Sequence, residues 1–579
     1  MRRWIAVPLV AALALPAGAL AFSPDREARN YSKTEERHRY ETGTAEYQAL
    51  LRARGAEEEA ELARIRASDP ERNPDGFCAH HLDACAGDVR FYSWEADGHG
   101  LRRPVLYTAA SGATISGHVW ATRAGPARRP GVVITNGSVQ APEELYAFAA
   151  ATLAKRGYVV MTYDVQTQGR SDRSGAPPDA DENSQPQDPN AFIDGARDAL
   201  DFLLSSPERP YVPRPSRTSA TVHSDKQERR VKAGLNAGFN PLWDLVDGDR
   251  IGIAGHSLGA FAVSDFGSRD ERVDAIVAWD NLSIGGGSMF GQQVAPIRPR
   301  VPALGMSNDY GLTPTPFGAD PDPRGKSAAS LGWSRAGVDT GQLVIRGGTH
   351  YEFAYIPSPV FGATLRGMDM AAWYTAAWFD KYVKGDPAAD RRLLTLRWRD
   401  DARGAEVDST DPPDGNLLSF YFLSRLDVGR AGGGRFVCED LRAGCGGMAA
   451  GDGEPPAYSY LAEAMTEDAA TPPAGTAAPP GGACVRSIAF PKRVSLRASG
   501  RRLSVRLALN EPVRAEAGLR ERGGKRPLRG RSRARLAPGR RTLTLRIAGA
   551  AHPGRHRMTL RIGCRRAKLA RGASLTLAP

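Results

Sequence analysis

A serine between two glycines is the residue of this 579-residue chain best placed to do chemistry. Ser257 lies in Gly255-His-Ser-Leu-Gly259, after the short apolar stretch 250–254 and before a run of small residues compatible with a helix. Glycines at these two positions let a strand turn sharply into a helix, which exposes the serine hydroxyl on a strained corner. The pattern predicts a nucleophile for acyl transfer, because a serine hydroxyl presented in this way can attack a carbonyl carbon.

A serine nucleophile needs a histidine to take its proton and a carboxylate to orient that histidine. His350 is the predicted base, because it follows an apolar strand and a pair of glycines. Two residues compete for the role of the acid: Asp280 follows the predicted strand 273–279, and Asp309 follows the predicted strand 303–307. Both would lie at the carboxyl ends of strands, where the sites of α/β proteins form, so these residues leave the choice open.

Two backbone N–H groups are expected to stabilise the oxyanion. The first belongs to Leu258, the residue after the nucleophile, and the second to the loop that follows the predicted strand 131–135. In that loop, the N–H of Ser138 is the predicted donor. His256, next to the nucleophile, is interpreted as a structural residue.

The elements that must position these residues alternate between strands and helices from residue 91 to 390. This alternation predicts an α/β fold with a mostly parallel sheet and flanking helices. The predicted strands are 114–120, 131–135, 158–163, 250–254, 273–279, 303–307 and 343–346, and the predicted helices are 142–156, 191–204 and 371–383. Residues 208–246 form an insertion that is either part of a lid or pocket rim, or an ordinary surface loop.

Several segments flank this predicted catalytic domain. Residues 22–90 form a charged extension with a helix expected over 45–67, and residues 391–465 are expected to pack on the catalytic domain with strand-like pieces at 393–398 and 417–423. Repeated Pro, Ala and Gly make 466–483 a linker. Alternation with period two predicts a small all-β, sandwich-like domain over 484–579.

The beginning of the chain and its cysteines predict export. Residues 1–21 combine two arginines, an apolar stretch and the small-residue site Ala19-Leu-Ala21, which is typical of a secretory signal peptide. An even number of cysteines in such a chain favours disulfides, and the expected pairs are Cys78–Cys85, Cys438–Cys445 and Cys484–Cys564. The alternative for the first pair is a metal site with His80 and His81, but its spacing differs from that of zinc sites. The protein is therefore expected to be secreted, outside the cell or on its surface.

Charge is distributed unevenly along the chain. Residues 484–579 contain 26 Lys and Arg against 3 Glu, a net charge of +23. Because the whole chain has a net charge of +12, the preceding residues have a net charge of −11. A basic module of this kind can hold an anionic cell-surface polymer by charge, or it can be a solvated spacer. A nucleic-acid partner is not expected, because the module shows no recognition motif.

From about residue 115 to 385 the chain resembles the α/β-hydrolases, and it is most similar to the platelet-activating-factor acetylhydrolases and to bacterial cutinase-like polyester hydrolases. The resemblance rests on the Gly255–Gly259 motif, on Ile345-Arg-Gly-Gly-Thr-His350 and on Asn136-Gly137 in the oxyanion loop. The acid of the acetylhydrolases occupies the position of Asp280, 23 residues after the serine. That of the cutinase-like enzymes occupies the position of Asp309, which the commoner arrangement of the fold slightly favours.

These observations together predict a secreted serine hydrolase that cleaves carboxylic esters, whether small-molecule, lipid or polyester, through an acyl-enzyme. No metal or organic cofactor is expected, because this chemistry needs none. The alternatives are an exported peptidase of the same fold and a cell-surface binding protein that uses the basic C-terminal module. No stretch after the signal peptide is long and apolar enough to span a membrane.

Overall fold

A computed structural model of the chain describes residues 45–74, 100–139, 141–280, 282–312, 324–354, 365–394 and 418–445, much of 485–578 and a few isolated positions. Contacts divide the chain into two compact units, Met1–Thr471 and Pro472–Pro579. The predicted signal peptide and linker lie outside the described residues, as do Cys78, Cys85, Cys484 and Cys564.

The first unit is built on a ten-stranded sheet. Its strands are β1 (Gly100–Thr108), β2 (Thr114–Thr122), β3 (Arg129–Thr135), β4 (Val159–Tyr163), β5 (Val246–His256), β6 (Ala275–Trp279), β9 (Ala303–Asn308), β10 (Thr340–Ile345), β11 (Arg425–Gly429) and β12 (Arg435–Cys438), while β7 (Ser288–Met289) and β8 (Gln292–Gln293) form a separate hairpin. Their spatial order is β1-β2-β4-β3-β5-β6-β9-β10-β11-β12. The run from β4 to β10 is parallel, and antiparallel strands extend it at both ends. The predicted α/β class with a mostly parallel sheet is confirmed.

Helices cover both faces of this sheet. The α-helices with described bounds in the first unit are α1 (Ala45–Ser68), α2 (Ala147–Lys155), α3 (Pro189–Leu203), α4 (Ser224–Lys232), α5 (Leu258–Arg269), α6 (Ala328–Arg335), α7 (Leu365–Tyr382) and α8 (Ala389–Leu393). Successive residues of a strand point to opposite faces, so Val132 and Ile134 join one buried cluster with α2 and α7, whereas Val133 joins another with α3 and α5. Burial on both faces explains why the central strands are apolar throughout.

The N-terminal helix α1 packs on the body of the first unit, and it confirms the predicted helix. Leu51 and Leu62 are buried, and an ion pair joins Glu58 to Arg170 on the loop after β4. At the end of the helix, Asp69 accepts two hydrogen bonds from the buried guanidinium of Arg230, at 2.9 and 2.6 Å. Charged contacts therefore hold a segment that is itself largely polar.

The insertion 208–246 covers the outer edge of β1. The backbone N–H of Ala237 donates to Leu106 O at 2.8 Å, and the Tyr211 hydroxyl donates to Thr108 O at 2.9 Å. The Gln227 side chain in α4 accepts from the N–H of Thr108 at 2.9 Å. Strand β1 is the edge strand of the sheet and lies four strands away from β5, which leads to Ser257. These contacts therefore show the insertion covering an edge of the sheet.

At the opposite edge of the sheet, beyond β10, the secondary structure differs from the predicted one. The predicted strand 393–398 is wrong at its first residue, because Leu393 ends helix α8, and residues 395–398 lie outside the described ones. Among the described residues 418–423 of the predicted strand 417–423, Leu418 alone forms a bridge, to Ile345. Strands β11 and β12, which were not predicted, extend the sheet beyond β10. The predicted disulfide Cys438–Cys445 is confirmed, with a Cα–Cα distance of 5.7 Å.

The described residues of the second unit are strands in two sheets. These strands are β13 (Val485–Ala489), β14 (Arg493–Ser495), β15 (Arg502–Leu509), β16 (Val513–Glu521), β17 (Gly530–Leu536), β18 (Gly539–Arg546), β19 (Gly554–Gly563) and β20 (Lys568–Ala578). One sheet has the order β13-β15-β18 and the other β14-β20-β19-β16-β17. In β16, the buried residues Val513, Ala515 and Ala517 alternate with Arg514 and Glu516, as the period-two pattern predicts.

Candidate active site

Ser257 occupies the sharp turn between β5 and α5. Its backbone has φ 58° and ψ −120°, a conformation that a residue with a side chain adopts only under strain. The flanking glycines explain the motif: a Cβ on Gly255 would lie 2.3 Å from Gly259 O, and one on Gly259 would lie 2.5 Å from the carbonyl oxygens of Thr135 and Asn136. The turn therefore packs against the end of β3, and only glycine fits at either position.

His350 begins the short helical turn His350–Phe353 after β10. Its backbone N–H donates to Gly311 O at 2.9 Å, which ties the histidine to the loop after β9. Its ring lies 4.6 Å from that of His256, centre to centre, so the candidate base lies beside the residue that precedes Ser257. The structure thus brings His350 to the turn that carries Ser257.

Asp280 is the carboxylate that contacts this histidine. His350 Nδ1 and Asp280 Oδ2 are joined by a hydrogen bond, in which the ring N–H donates to the carboxylate. Burial alone would raise the pKa of the Asp280 carboxyl, but the charge and the hydrogen bond of His350 outweigh it and hold that pKa below its usual value. Asp280 lies directly after β6 with φ 64°, a second strained non-glycine residue at this edge of the sheet.

Asp309, the slightly favoured candidate, is engaged elsewhere. One oxygen accepts from the N–H of Gly347 at 2.8 Å, and the other accepts from the Ser419 hydroxyl. The side chain is buried, and burial raises the pKa of its carboxyl despite these hydrogen bonds. Asp309 therefore connects the loop before His350 to the segment after residue 418, and the geometry gives the contact with the histidine to Asp280.

The predicted oxyanion loop lies against Ser257. A Cβ on Gly137 would lie 3.3 Å from Ser257 Cβ, and the buried Asn136 shapes the loop by donating to Ala141 O at 2.7 Å. Leu258 is the first residue of the twelve-residue helix α5, whose N-terminal N–H groups and dipole favour negative charge. Ser138, one residue beyond Gly137, is half-buried.

Tyr146 is a site residue that the sequence analysis missed. Its hydroxyl accepts from the N–H of Gly137 at 2.9 Å and lies 2.8 Å from His256 Nδ1. The other ring nitrogen of His256 lies 3.0 Å from His350 O. The predicted structural role of His256 agrees with these contacts, but the pattern around Tyr146 gave no sign of it beyond a place in a predicted helix.

Two further findings concern the part of the chain that the structure describes. That part contains no group of three His, Cys, Asp or Glu residues arranged to hold a metal ion. None of its helices combines the length and the apolar character needed to cross a membrane. His80 and His81 lie outside it.

Comparison with known proteins gives no assignment: no family model matches the chain, and no curated protein is significantly similar to it.

Proposed function

We propose that the protein is a serine hydrolase of the α/β-hydrolase type that cleaves carboxylic esters through an acyl-enzyme. The observation that carries the proposal is the strained Ser257 turn beside a hydrogen-bonded His350–Asp280 pair. The order Ser257, Asp280, His350 along the chain is the order of the triad in that fold. The resemblance to the acetylhydrolases, whose acid position corresponds to Asp280, favours the same assignment.

In the proposed reaction, His350 Nε2 takes the proton of the Ser257 hydroxyl while the serine oxygen attacks the ester carbonyl carbon. Asp280 keeps the other proton of the ring on Nδ1 and stabilises the imidazolium that forms. The tetrahedral intermediate collapses, His350 protonates the leaving alcohol, and an acyl-enzyme remains on Ser257. Water, activated by the same histidine, then attacks the acyl carbon and releases the acid.

Two backbone N–H groups are proposed to stabilise the oxyanion of this intermediate. Leu258 supplies one from the start of α5, and Ser138 supplies the other from the loop after β3. A pre-positioned pair of this kind accounts for about 10²- to 10³-fold in rate per donor in related chemistry. Because backbone N–H groups stabilise the oxyanion, the proposed mechanism needs no metal ion.

Hydrolysis of p-nitrophenyl acetate and butyrate by the purified full chain tests the proposal. Ser257→Ala should abolish turnover and covalent labelling by a fluorophosphonate. The matched control is Ser268→Ala, because the Ser268 hydroxyl on the same helix only donates to Ser264 O and should be dispensable. Wild-type turnover in Ser257→Ala, or labelling at another residue, contradicts the proposal.

The leaving group distinguishes an esterase from the exported peptidase that is the enzymatic alternative. The esterase proposal expects turnover of the p-nitrophenyl ester and far slower turnover of the matching p-nitroanilide, because an amine must be protonated before it leaves. Comparable rates for the two substrates would favour the peptidase. The disulfide Cys438–Cys445 fits the proposed extracellular or cell-surface location, since such bonds persist in oxidising compartments.

A second proposal concerns the basic second unit. On β16 and its neighbour β17, Arg514, Arg533 and Arg535 are exposed, and the register places Arg514 opposite Arg535. Neighbouring strands are about 4.8 Å apart and alternate residues of one strand about 6.8 Å apart. We propose that this arginine face, Arg514 with Arg533 and Arg535, binds a linear polymer whose anionic groups recur at similar intervals.

Among the described residues of this face, one ion pair is formed. The register places Glu516 opposite Arg533, and the two side chains pair at 3.2 Å, a solvent-exposed contact of small energetic value. A phosphate-bearing polymer fits best, because the guanidinium fork donates two parallel hydrogen bonds to a phosphate.

Binding of the full chain to linear polyphosphate at low and high salt tests this second proposal. Replacing Arg514, Arg533 and Arg535 with Gln should weaken binding about tenfold or more and reduce its salt dependence. The matched control replaces three arginines of the other sheet, Arg502, Arg506 and Arg546, with the same change in charge. Equal losses in both variants, or binding only to phosphatidylglycerol vesicles, contradict a specific polymer-binding face.

A further inference from the structure

A chain of hydrogen bonds runs from the oxyanion loop through Tyr146 and His256 to the backbone of His350. It joins three segments that the proposed mechanism requires in fixed positions. Its distances are 2.9 Å from Gly137 N to the Tyr146 hydroxyl, 2.8 Å from that hydroxyl to His256 Nδ1, and 3.0 Å from His256 Nε2 to His350 O. Both side chains are buried, so water does not compete for these groups.

The direction of each hydrogen bond follows from its last acceptor. A backbone carbonyl can only accept, so His256 Nε2 must carry a proton and donate it to His350 O. In the neutral ring, Nδ1 then accepts, and the Tyr146 hydroxyl must donate to it. The hydroxyl oxygen is left to accept from Gly137 N–H, so that all four groups are satisfied.

The surroundings of His256 keep it in this neutral form. Burial lowers the pKa of His256 to about 3, and the neighbouring His350 adds to the effect. A neutral ring contributes no positive charge beside His350, whose own protonation the proposed mechanism uses.

Ring stacking also holds Tyr146 in place. Its ring stacks on Trp279 with an angle of 2° between the planes, and Trp279 is the residue before Asp280. The carbonyl of Trp279 also accepts from the N–H of Ser257 at 3.1 Å. The tyrosine therefore contacts residues adjacent to the nucleophile, the acid and the oxyanion donor, and none of the contacts named here uses the reacting atoms themselves.

We infer that Tyr146 and His256 are positioning residues, which hold the oxyanion loop and the His350 backbone in register with Ser257. This inference rests on the proposed serine hydrolase function. Because the Gly137 N–H is taken by the tyrosine, the loop must present its next N–H, that of Ser138, to the oxyanion. Loss of the tyrosine hydroxyl would free Gly137 N–H and let the loop shift, with the base and the nucleophile still present.

The kinetic test is Tyr146→Phe, which removes one oxygen and keeps the stacked ring. We expect kcat for p-nitrophenyl butyrate to fall about 10- to 100-fold, the scale of a small misplacement of catalytic groups, with KM changed less than about threefold. The matched control is Tyr158→Phe, a buried tyrosine whose hydroxyl donates to Asp380 at 2.9 Å and which should keep its kcat. A wild-type kcat in Tyr146→Phe, or an equal loss in Tyr158→Phe, overturns the inference.

Two variants of His256 add a graded readout. His256→Gln keeps an N–H donor that can reach His350 O but loses the aromatic Nδ1, whereas His256→Phe loses both hydrogen bonds. We expect kcat to fall more in His256→Phe than in His256→Gln, because part of the connection remains in the glutamine variant. The opposite order contradicts a positioning role.

The ring nitrogens of His256 provide a test that does not depend on turnover. Nitrogen-15 NMR of the histidine-labelled full chain should show His256 protonated on Nε2 alone from pH 5 to 8, with the Nδ1 resonance changed in Tyr146→Phe. A proton on Nδ1 in the wild type overturns the inference even if the enzyme is active. An inactive wild type with the expected tautomer would instead refute the proposed function and leave the hydrogen-bonded chain as a structural feature.

Discussion

Exchange of each candidate acid for its amide separates the two arrangements that the sequence allows. In Asp280→Asn, the group that faces His350 Nδ1 loses its negative charge. The amide can turn its NH₂ toward the ring, which would place the histidine proton on Nε2 and prevent it from accepting the serine proton. If the amide oxygen faces the ring instead, the imidazolium formed during the reaction still lacks its carboxylate partner.

The expected magnitudes differ because the two aspartates contact different groups. Loss of the orienting acid of a triad costs about 10⁴-fold in kcat, which is about 5.5 kcal/mol of transition-state stabilisation. Asp309 accepts hydrogen bonds from Gly347 N–H and the Ser419 hydroxyl. In Asp309→Asn, the side-chain NH₂ replaces one of the two acceptor oxygens and faces one of these donors. Its replacement should therefore cost about 1–3 kcal/mol of stability, with kcat reduced less than about tenfold.

The assay is the steady-state hydrolysis of p-nitrophenyl butyrate by Asp280→Asn and Asp309→Asn, with the Tm of each variant measured in the same buffer. Melting temperatures show whether a loss of kcat reflects a loss of folded protein. The assignment of the acid is refuted if Asp309→Asn loses about 10³-fold or more in kcat while Asp280→Asn stays near wild type.

Changes at residues other than the two candidate acids have three further expected outcomes. Because the folded-state pKa of His256 is depressed from 6.5 to about 3, its contribution to the free energy of unfolding is present above pH 6.5 and is lost on acidification toward pH 3. The slope is at most about 1.4 kcal/mol per pH unit, and urea titrations of His256→Gln should show a weaker dependence. Replacement of Cys438 and Cys445 with serine should destabilise the protein by about 2 kcal/mol, as a lowered Tm that a reductant no longer changes. Asp69→Asn removes the carboxylate that takes two N–H groups of the buried Arg230 and should destabilise by about 3 kcal/mol, with faster proteolysis at the end of α1; unchanged cleavage would contradict that role.

Local sterics made the sharp turn at Ser257 predictable. The two glycines of the Ser257 motif are needed within a few residues of the serine, where a Cβ would meet the backbone of the same turn or of β3. The central strands were equally predictable, because burial on both faces requires uninterrupted apolar runs. Most structural boundaries differ from the predicted ones by a few residues, and β5 begins at Val246 rather than 250 because its polar first half still pairs with β3.

The candidate acid that contacts His350 could not be chosen from the sequence, because Asp280 and Asp309 both follow strands of the same sheet. The difference lies in a strained backbone at Asp280 and in the Ser419 hydroxyl that occupies Asp309. Ser419 is 110 residues away along the chain, and nothing in the local pattern points to it. Tyr146 escaped notice for the same reason, since its partner His256 is also 110 residues distant.

Strands β11 and β12 were missed because they alternate charged and apolar residues over only a few positions. Their polar residues are satisfied across the sheet: Asp427 of β11 accepts from Arg435 of β12. Such short, charged strands are typical of sheet edges, and their sequence resembles that of an ordinary loop.

The segment 418–445 sets the minimum length of a self-sufficient fragment of the first unit. Val344, in the strand that leads to His350, donates its N–H to the Ser424 hydroxyl at 2.9 Å and accepts from Ser419 N at 2.8 Å. A protein cut at residue 390 would leave these backbone groups of β10 unpaired, and an unpaired strand edge promotes pairing between molecules. It would also remove the Ser419 hydroxyl that donates to one oxygen of Asp309. Fusions and truncations should therefore be placed after Cys445, so that the disulfide to Cys438 at the end of strand β12 is kept.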